Sequence, residues 1–284
     1  MKVKIIVDSC GDLTDNALKD YDIGMIPLNI ELDRLLKDRI DISPEEYYAK
    51  INEYNLPLTS SPNLAQWKNA FDESFQDGYD KMVIVTLSSK LSNTHDQACV
   101  AAKKYYPEDI KILDSMQASG GEGLVAIKFR DLLNKGHSFD TVYSFMEKLR
   151  KKVTLVGYME NMKMLVKSGR ISRASEFIVS LGRMKPMVTT DEGELIPLCK
   201  VISLKNAKKR LVSEIVEKVN KSIPHTLYIT HANDEETAFE LKDGIEGEIN
   251  ISKAFVNYMG PIVGSRVGLN AQIGCVVPDL EPLK

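Results

Sequence analysis

The chain has 284 residues, 43% of them hydrophobic and 27% charged, and 37 basic against 40 acidic residues give a formal net charge of −3. This length suffices for about two domains and for a core that needs no disulfide or metal. The acidic excess argues against a generally basic protein that binds nucleic acid through its phosphates. No apolar run approaches the ~20 residues of a membrane-spanning helix, so stable membrane insertion is not expected.

The N-terminus and the cysteines together indicate a cytoplasmic protein. The apolar stretch between Lys4 and Asp8 is too short for a secretory signal peptide and suits a first strand. The cysteines are widely spaced and form neither a CxxC motif nor a cluster with histidine, which disfavours a zinc site and a disulfide framework. We therefore expect free thiols in a reducing compartment at Cys10, Cys99, Cys199 and Cys275.

Three short apolar runs in the first half of the chain each end at hydroxyl or carboxyl side chains. They cover residues 4–7, 81–87 and 110–113, and helical patterns follow at residues 92–105 and 123–133. Strand, polar turn and helix in alternation predict βαβ units and a parallel sheet. Because ligands bind outside the carboxyl ends of parallel strands, we expect the polar residues after these runs to converge on one edge of the sheet.

The segment between the first two runs has a different pattern. Residues 25–32 partly alternate apolar and polar side chains, which predicts a partly exposed strand or hairpin arm. Ser43 followed by Pro44 and Glu46 predicts a helix start with serine as N-cap and proline at the first helical position. Residues 59–63 form a hydroxyl-rich turn ahead of a helix that carries Trp67.

The chain changes character near Lys151, and we predict an α/β domain over residues 1–155 and an α+β domain over residues 156–284. A hairpin, helices and closing strands in the second half support this class. The predicted elements are strand 153–158, helix 159–168, a segment at 171–181, hairpin arms 185–190 and 195–201, helix 206–221, strand 225–231, helix 235–244, strand 250–256, a loop or helix start at 260–266, and strand 272–277.

Two of the predicted turns are rich in small polar side chains. Hydroxyls beside the free N–H groups of a helix N-terminus suit an anion such as a carboxylate or a phosphate. Ordinary N-capping and turn chemistry explains the same pattern, and spacing alone does not separate the two readings. The side chains concerned are Thr59, Ser60 and Ser61 in the first turn and Ser88, Ser89, Ser92, Asn93 and Thr94 in the second.

Signatures of catalysis are sparse. The sequence has no GxGxxG, GxxxxGK[ST] or GxSxG motif, and its histidines form no recognised triad. Asp8, Asp114 and His231 end predicted strands and would serve as acid–base groups in an enzyme acting on a small carboxylated or phosphorylated substrate. Arg170 and Arg266 would clamp its anionic group, since a guanidinium binds carboxylate or phosphate through two hydrogen bonds. A salt bridge at the surface or between domains is the alternative role for each arginine.

Taken in order, these segments resemble the DegV family over nearly the whole chain. No single piece is decisive, but eight in the right order are specific. The pieces are Val7-Asp8-Ser9 with Asp12-Leu13, Thr59-Ser60-Ser61-Pro62, Leu91-Ser92-Asn93-Thr94, Leu113-Asp114-Ser115 with Gly120 to Gly123, Ser168-Gly169-Arg170-Ile171, Lys185-Pro186 with Asp191 to Leu195, Lys200, and Gly260-Pro261-Ile262-Val263-Gly264.

The resemblance implies a two-domain protein with a lipid-shaped tunnel between its α/β and α+β domains. The family binds one long-chain fatty acid as its ligand and acts as a carrier rather than as an enzyme, without a further cofactor or a metal. It presents the acyl carboxylate to a separate fatty acid kinase, which makes acyl-phosphate for phospholipid synthesis. The threonine and serine that bind the carboxylate in the family match Thr59 and Ser92, and both positions keep a hydroxyl.

Four departures from the family pattern bear on the ligand and on the partner. Asn93 replaces the glycine of Leu-Ser-Gly-Thr, Arg266 stands at a histidine position, and residues 268–270 replace Gly-Pro-Gly. Arg266 would either bind the carboxylate as an ion pair or favour a phosphorylated or shorter ligand. Ile202 occupies an arginine position in the region that the family turns toward its kinase, which weakens the expectation of kinase coupling.

From these residues we predict that Thr59, Ser92 and Arg266 hold the carboxylate of a fatty acid. A regulatory role is also open, in which ligand occupancy sets affinity for an acidic partner at a basic helix face. That face consists of Lys205, Lys208, Lys209 and Arg210, although a solvated surface explains it equally. The side chains predicted to support the head-group site are Ser60, Ser61, Asn93, Thr94 and Arg170.

Overall fold

The computed structural model describes residues 1–172 and 184–283. Its first sheet is parallel throughout, with the strand order β2-β1-β6-β7. Alternate side chains point to opposite faces of this sheet, so Ile6 and Ile84 pack on one side while Val7 and Val85 pack on the other. The strands are β1 (Val3–Asp8), β2 (Ile23–Ile26), β6 (Lys81–Thr86) and β7 (Ile110–Asp114).

A small antiparallel sheet with the order β4-β3-β5 lies between β2 and β6 in the chain. Its strands are β3 (Asn29–Glu31), β4 (Leu35–Lys37) and β5 (Leu58–Ser60). The turn predicted at residues 59–63 therefore begins inside a strand, because Thr59 pairs with Ile30. The partly exposed hairpin arm predicted at residues 25–32 is divided between the parallel sheet and this small sheet.

The second large sheet has six strands in the order β10-β9-β8-β13-β11-β12. Only β11 and β12 run parallel among these pairs, and the other neighbours are antiparallel. The hairpin predicted at residues 191–194 joins β9 to β10. The strands are β8 (Thr154–Tyr158), β9 (Lys185–Asp191), β10 (Glu194–Val201), β11 (His225–His231), β12 (Ile251–Tyr258) and β13 (Gln272–Pro278).

The α-helices within the described ranges surround and separate these sheets. Ser43 forms the predicted N-cap, with a reciprocal capping box to Glu46. None of the helices in residues 1–172 and 184–283 combines the length and the apolar character that crossing a bilayer requires. They are α1 (Asp15–Asp20), α2 (Pro44–Lys50), α3 (Leu64–Gln76), α4 (Thr94–Tyr105), α5 (Gly120–Asn134), α6 (Phe139–Leu149), α7 (Lys163–Lys167), α8 (Leu204–Lys218), α9 (Glu235–Glu246) and α10 (Pro261–Val267).

Helix α5 lies between the two large sheets. Residues 120–129 are all buried, and the helix packs on β1 as well as on β11 and β13. Glycines make this close packing possible: a Cβ on Gly120 would lie 2.7 Å from the Tyr228 ring, and one on Gly123 would lie 2.5 Å from the Gly11 carbonyl oxygen. The outer face of the six-stranded sheet is covered by α8 and α9.

The α/β and α+β architecture expected from the sequence is confirmed. Helices α1 and α6 have no counterpart among the predicted elements, and α7 is shorter than the helix predicted at residues 159–168. The segment predicted at 171–181 lies almost wholly outside the described residues. The domain division at residue 155 stays a prediction; β8, which begins at Thr154, pairs within the six-stranded sheet.

Candidate functional site

A cavity of about 490 Å³ lies where both halves of the chain meet. This volume is within the ~300–1,000 Å³ typical of ligand sites. Its apolar wall draws on the six-stranded sheet, on segments that follow strands of the parallel sheet, and on α7 and α10. It includes Leu28, Leu87, Leu155, Leu165, Val188, Ile262 and Ile273. Its polar lining contains seven of the eight residues predicted for the head-group site: Thr59, Ser60, Ser61, Ser92, Asn93, Arg170 and Arg266.

Arg266 and Thr59 meet in this cavity although 207 residues separate them in the chain. Arg266 projects from the last turn of α10 and donates from Nη2 to Thr59 Oγ1 at 2.9 Å. Its Nη1 donates to the Pro57 carbonyl oxygen at 3.0 Å. Two bonds to the same strand end fix the guanidinium plane beside the Thr59 hydroxyl. The geometry thus joins a cation and a hydroxyl on one wall of the cavity.

The second group of hydroxyls lies at the start of α4. Ser92 Oγ and Thr94 Oγ1 are 2.9 Å apart, and Thr94 Oγ1 donates to Ser61 Oγ at 3.3 Å. Thr94 is fully buried and does not line the cavity, so it links the two turns rather than facing a ligand. Asn93 has φ −76°, a conformation open to any residue, which explains why the backbone there does not require glycine.

Asn29 is a supporting residue that the sequence did not reveal. Its Nδ2 donates to Ser60 Oγ at 3.3 Å and to the Ser61 carbonyl oxygen at 3.2 Å. Gln66 Nε2 donates to Asn29 Oδ1 at 3.3 Å, which fixes the amide from the other side. Asn29 lies in the middle of a strand pattern, and only its pairing with β5 gives it this role.

Arg170 and Arg266 give the described part of the cavity wall a positive charge. Within the described residues, neither Arg266 nor Arg170 lies in an ion pair with a carboxylate. Burial lowers the pKa of Arg266, and the neighbouring Arg170 guanidinium lowers it further. An anion in the cavity would oppose both effects, because opposite charge favours the charged form of a group. The site is therefore suited to a carboxylate or another anionic head group.

The acid–base groups of the alternative hypothesis lie outside this cavity's lining. Asp8 is fully buried, and its oxygens accept the Cys10 and Leu87 N–H groups; burial raises its pKa to about 7. Asp114 accepts from the Ser89 hydroxyl at 2.7 Å. His231 packs on Tyr258 with ring centroids 4.3 Å apart, and burial lowers its pKa. The structure does not bring these groups to the arginines as an acid–base set.

Buried carboxyl groups at the start of α10 and on α5 are the main feature that the sequence did not indicate. Asp12 accepts the Gly260 N–H, Asp38 accepts the Ile262 N–H, and Glu122 is fully buried. Burial raises the pKa of Asp12 to about 6 and that of Asp38 to about 7, and it also raises the pKa of Glu122. Asp12 belongs to a motif quoted above, whereas Asp38 lies in an unremarkable polar stretch.

The remaining predicted features are structural or lie at the surface. All four cysteines are free, and Cys10 lines the cavity with a thiol whose pKa is raised by burial. Within the described ranges, no group of three or more His, Cys, Asp or Glu side chains is arranged to hold a metal ion. Ile202 is 73% exposed and directly follows β10. The basic face of α8 is partly paired, with Lys208 bound to Glu240 and Arg210 to Glu214.

Comparison with known proteins matches this arrangement to one family. The family model described as "Uncharacterised protein, DegV family" matches residues 2–277. A protein of Thermotoga maritima named fatty acid-binding protein is 29% identical over 274 residues, covering 94% of this chain and 95% of its own.

Solved structures agree with the same assignment. A DegV lipid binding protein from Thermotoga maritima superposes with a TM-score of 0.90 at 28% identity over the whole of both chains. A DegV family protein from Thermus thermophilus superposes at 0.92 and 23% identity, covering 98% of this chain and 100% of its own, which shows the shared fold. The chain belongs to the DegV family.

Proposed function

We propose that the chain binds one long-chain fatty acid, with the acyl tail in the cavity and the carboxylate held by Thr59, Ser92 and Arg266. The observation that carries the proposal is the cavity itself, in which a largely apolar wall meets two guanidinium groups without a carboxylate partner among the described residues. Ser60, Ser61 and Asn93 would complete the polar end. Relatives named as fatty acid-binding and lipid binding proteins support the same ligand class.

The acyl tail and the carboxylate would contribute to binding in different ways. Burying each CH₂ of an acyl tail contributes ~0.8 kcal/mol, so the tail supplies most of the affinity. A hydrogen bond to a charged group adds ~1.5–3 kcal/mol, so the head group sets the position and the preference for an acid. Arg266 is the strongest candidate for that preference, because it already directs one guanidinium nitrogen at Thr59.

We further propose that the protein is a cytoplasmic carrier that presents the acyl carboxylate to a fatty acid kinase. Four free cysteines suit a reducing compartment. The carboxyl oxygens of Asp8 and Asp114 already accept hydrogen bonds from Leu87 and Ser89, which supports a carrier over an acid–base enzyme. The division into domains at residue 155 belongs to this proposal, with the cavity between them.

Native mass spectrometry of protein purified without added lipid tests the ligand. We expect an extra mass equal to one long-chain fatty acid, reduced in Arg266→Gln and unchanged in Arg210→Gln. Arg210 is a matched control, because it is an exposed arginine on α8 paired with Glu214. A ligand-free mass in all three proteins, with no uptake of added palmitate, would refute fatty acid binding and favour a small carboxylated or phosphorylated ligand.

A further inference from the structure

Helix α10, which carries Arg266, begins against two buried carboxyl groups from distant parts of the chain. Asp12 Oδ1 accepts the Gly260 N–H at 2.8 Å, and Asp38 Oδ1 accepts the Ile262 N–H at 3.4 Å. The first N–H groups of a helix have no partner within the helix. The N-cap of α10 is Gly260, which has no side chain to supply one. The two aspartates therefore act as caps delivered from outside the helix.

Asp12 is itself held rigidly. Its Oδ2 accepts the Ser119 hydroxyl at 2.7 Å, and its backbone carbonyl oxygen accepts Tyr228 Oη at 2.9 Å and Asn257 Nδ2 at 2.6 Å. These partners come from the start of α5 and from strands β11 and β12. The Asp12 carboxyl thus has a fixed orientation, and its bond to Gly260 holds the start of α10 in place.

The other end of α10 carries the head-group cation. Arg266 lies six residues after Gly260, or ~9 Å along a helix that rises 1.5 Å per residue. Its guanidinium donates hydrogen bonds to Pro57 and Thr59 in the N-terminal half of the chain. A movement at the first turn of so short a helix reaches the guanidinium, because fewer than two turns of backbone connect them.

We propose that Asp12 is a positioning residue for Arg266: its ionised carboxylate holds the first turn of α10, and protonation of that carboxylate weakens the binding of an anionic head group. This inference rests on the proposed role of Arg266 as the ligand of the carboxylate. An ionised acceptor forms a stronger hydrogen bond than a neutral one and also interacts favourably with the positive end of a helix. Both contributions are lost when Asp12 takes up a proton.

The surroundings of Asp12 place this change of charge in an accessible pH range. Burial raises its pKa to about 6, opposed by the bonds from Ser119 and Gly260 and by the positive charge of Arg39. Asp38, the second cap, has its pKa raised to about 7. The other titratable groups that feel the Asp12 charge are Asp8, Glu122, Cys10, Tyr48, Tyr228 and Cys275.

The test compares two C16 probes, hexadecane sulfonate, which stays ionised throughout, and uncharged hexadecanol. Because both probes have the same tail, the ratio of their dissociation constants reports how strongly the site prefers the charged head group. In the wild type we expect the preference for the sulfonate to fall about five- to thirty-fold between pH 8 and pH 5. In Asp12→Asn, which keeps an acceptor but no charge, we expect a lower preference at pH 8 and a smaller fall toward pH 5, because only Asp38 still titrates at the start of α10.

Asp8→Asn is the matched control, because Asp8 is equally buried but bonds to Cys10 and Leu87 rather than to α10. It should keep the wild-type head-group preference and pH profile. Ser119→Ala gives a second variant that retains the Asp12 carboxylate. Because the Ser119 hydroxyl lowers the pKa of Asp12, removing it should move the midpoint of the profile to higher pH. A folded Asp12→Asn protein with the wild-type ratio and profile would overturn the proposal.

A ligand-independent measurement separates this inference from the proposed function. The ¹⁵N–¹H resonance of Gly260 should show a transition near pH 6 in the wild type, and Asp12→Asn should lose that transition. A Gly260 resonance that titrates identically in both proteins overturns the positioning role. Equal binding of sulfonate and alcohol at every pH would refute the head-group role of Arg266, and binding of neither probe would refute the acyl-chain site, whatever Gly260 shows.

Discussion

Substituting Gly264 in the middle of α10 tests whether that helix is packed as tightly as its geometry indicates. A Cβ at this position would lie 2.8 Å from Tyr48 Cζ and 3.1 Å from Cε1, with the hydroxyl oxygen closer still. Tyr48 is 3% exposed and donates to the Met259 carbonyl oxygen at 3.1 Å, so it has little room to move. Gly264→Ala must therefore displace the ring or the helix.

The magnitude follows from three contributions. Overpacking a well-filled core costs ~1–3 kcal/mol. Losing the Tyr48 bond leaves the Met259 carbonyl oxygen unsatisfied, which costs ~1–3 kcal/mol when the group is buried. Alanine recovers ~1 kcal/mol through its higher helix propensity than glycine. We therefore expect the free energy of unfolding to fall by ~3 kcal/mol.

Urea denaturation measures this change, and Gly247→Ala is the control. Gly247 ends α9 with φ −70°, and its Cβ would meet the Asp243 carbonyl oxygen at an ordinary 3.5 Å. The control should be neutral or more stable by ~0.4–1 kcal/mol. Tyr48→Phe in the Gly264→Ala background should recover part of the loss, since it removes the nearest atom. A Gly264→Ala protein as stable as the control would refute the packing argument.

Three further changes test other parts of the molecule. Asp279→Ala should lower the free energy of unfolding in urea by ~3–5 kcal/mol because it leaves Lys128 buried without its partner, whereas Glu281→Ala at an exposed pair should cost less than ~1 kcal/mol. Asp8 has a native pKa of about 7 against an ordinary 3.8, so its protonated form stabilises the fold and this contribution is lost as pH rises between those values. In a plot of urea midpoint against pH from 4 to 7, Asp8→Asn should therefore show a smaller slope than the wild type. Thr59→Ala should weaken palmitate binding about tenfold or more in a dye-displacement titration, while Thr59→Ser stays near the wild type; equal affinities in all three proteins would contradict a Thr59 contact.

The local elements could be predicted from the sequence because their signals are local. The parallel strands show as short apolar runs that end in polar residues, and the capping box at Ser43 identifies the start of α2. The short helices α1 and α7 were missed or misjudged because six or five residues carry too little periodicity. Helix α5 is buried throughout residues 120–129, charged Glu122 and Lys128 included, so no amphipathic stripe reveals that it touches two sheets.

The candidate site was predicted only in part, because its assembly depends on contacts between distant residues. Thr59 and Arg266 could be named from hydroxyl-rich turns and the family resemblance, but their mutual bond follows from the docking of α10 on the end of β5. Asn29 and Asp38 carried no signal. Polar residues in short irregular strands usually face solvent, and only the folded chain shows that these two are buried against the site.

The order of the six-stranded sheet constrains when the cavity forms during synthesis. Strand β13 follows the other described strands in the sequence, yet it lies in the interior of the sheet between β8 and β11 and supplies Ile273 to the cavity wall. A nascent chain that has not yet released residues 272–278 from the ribosome therefore has a divided sheet and a face of α5 without its partner. The complete cavity wall is thus confined to chains synthesised past residue 278, and the face of α5 that packs on β13 stays uncovered until then.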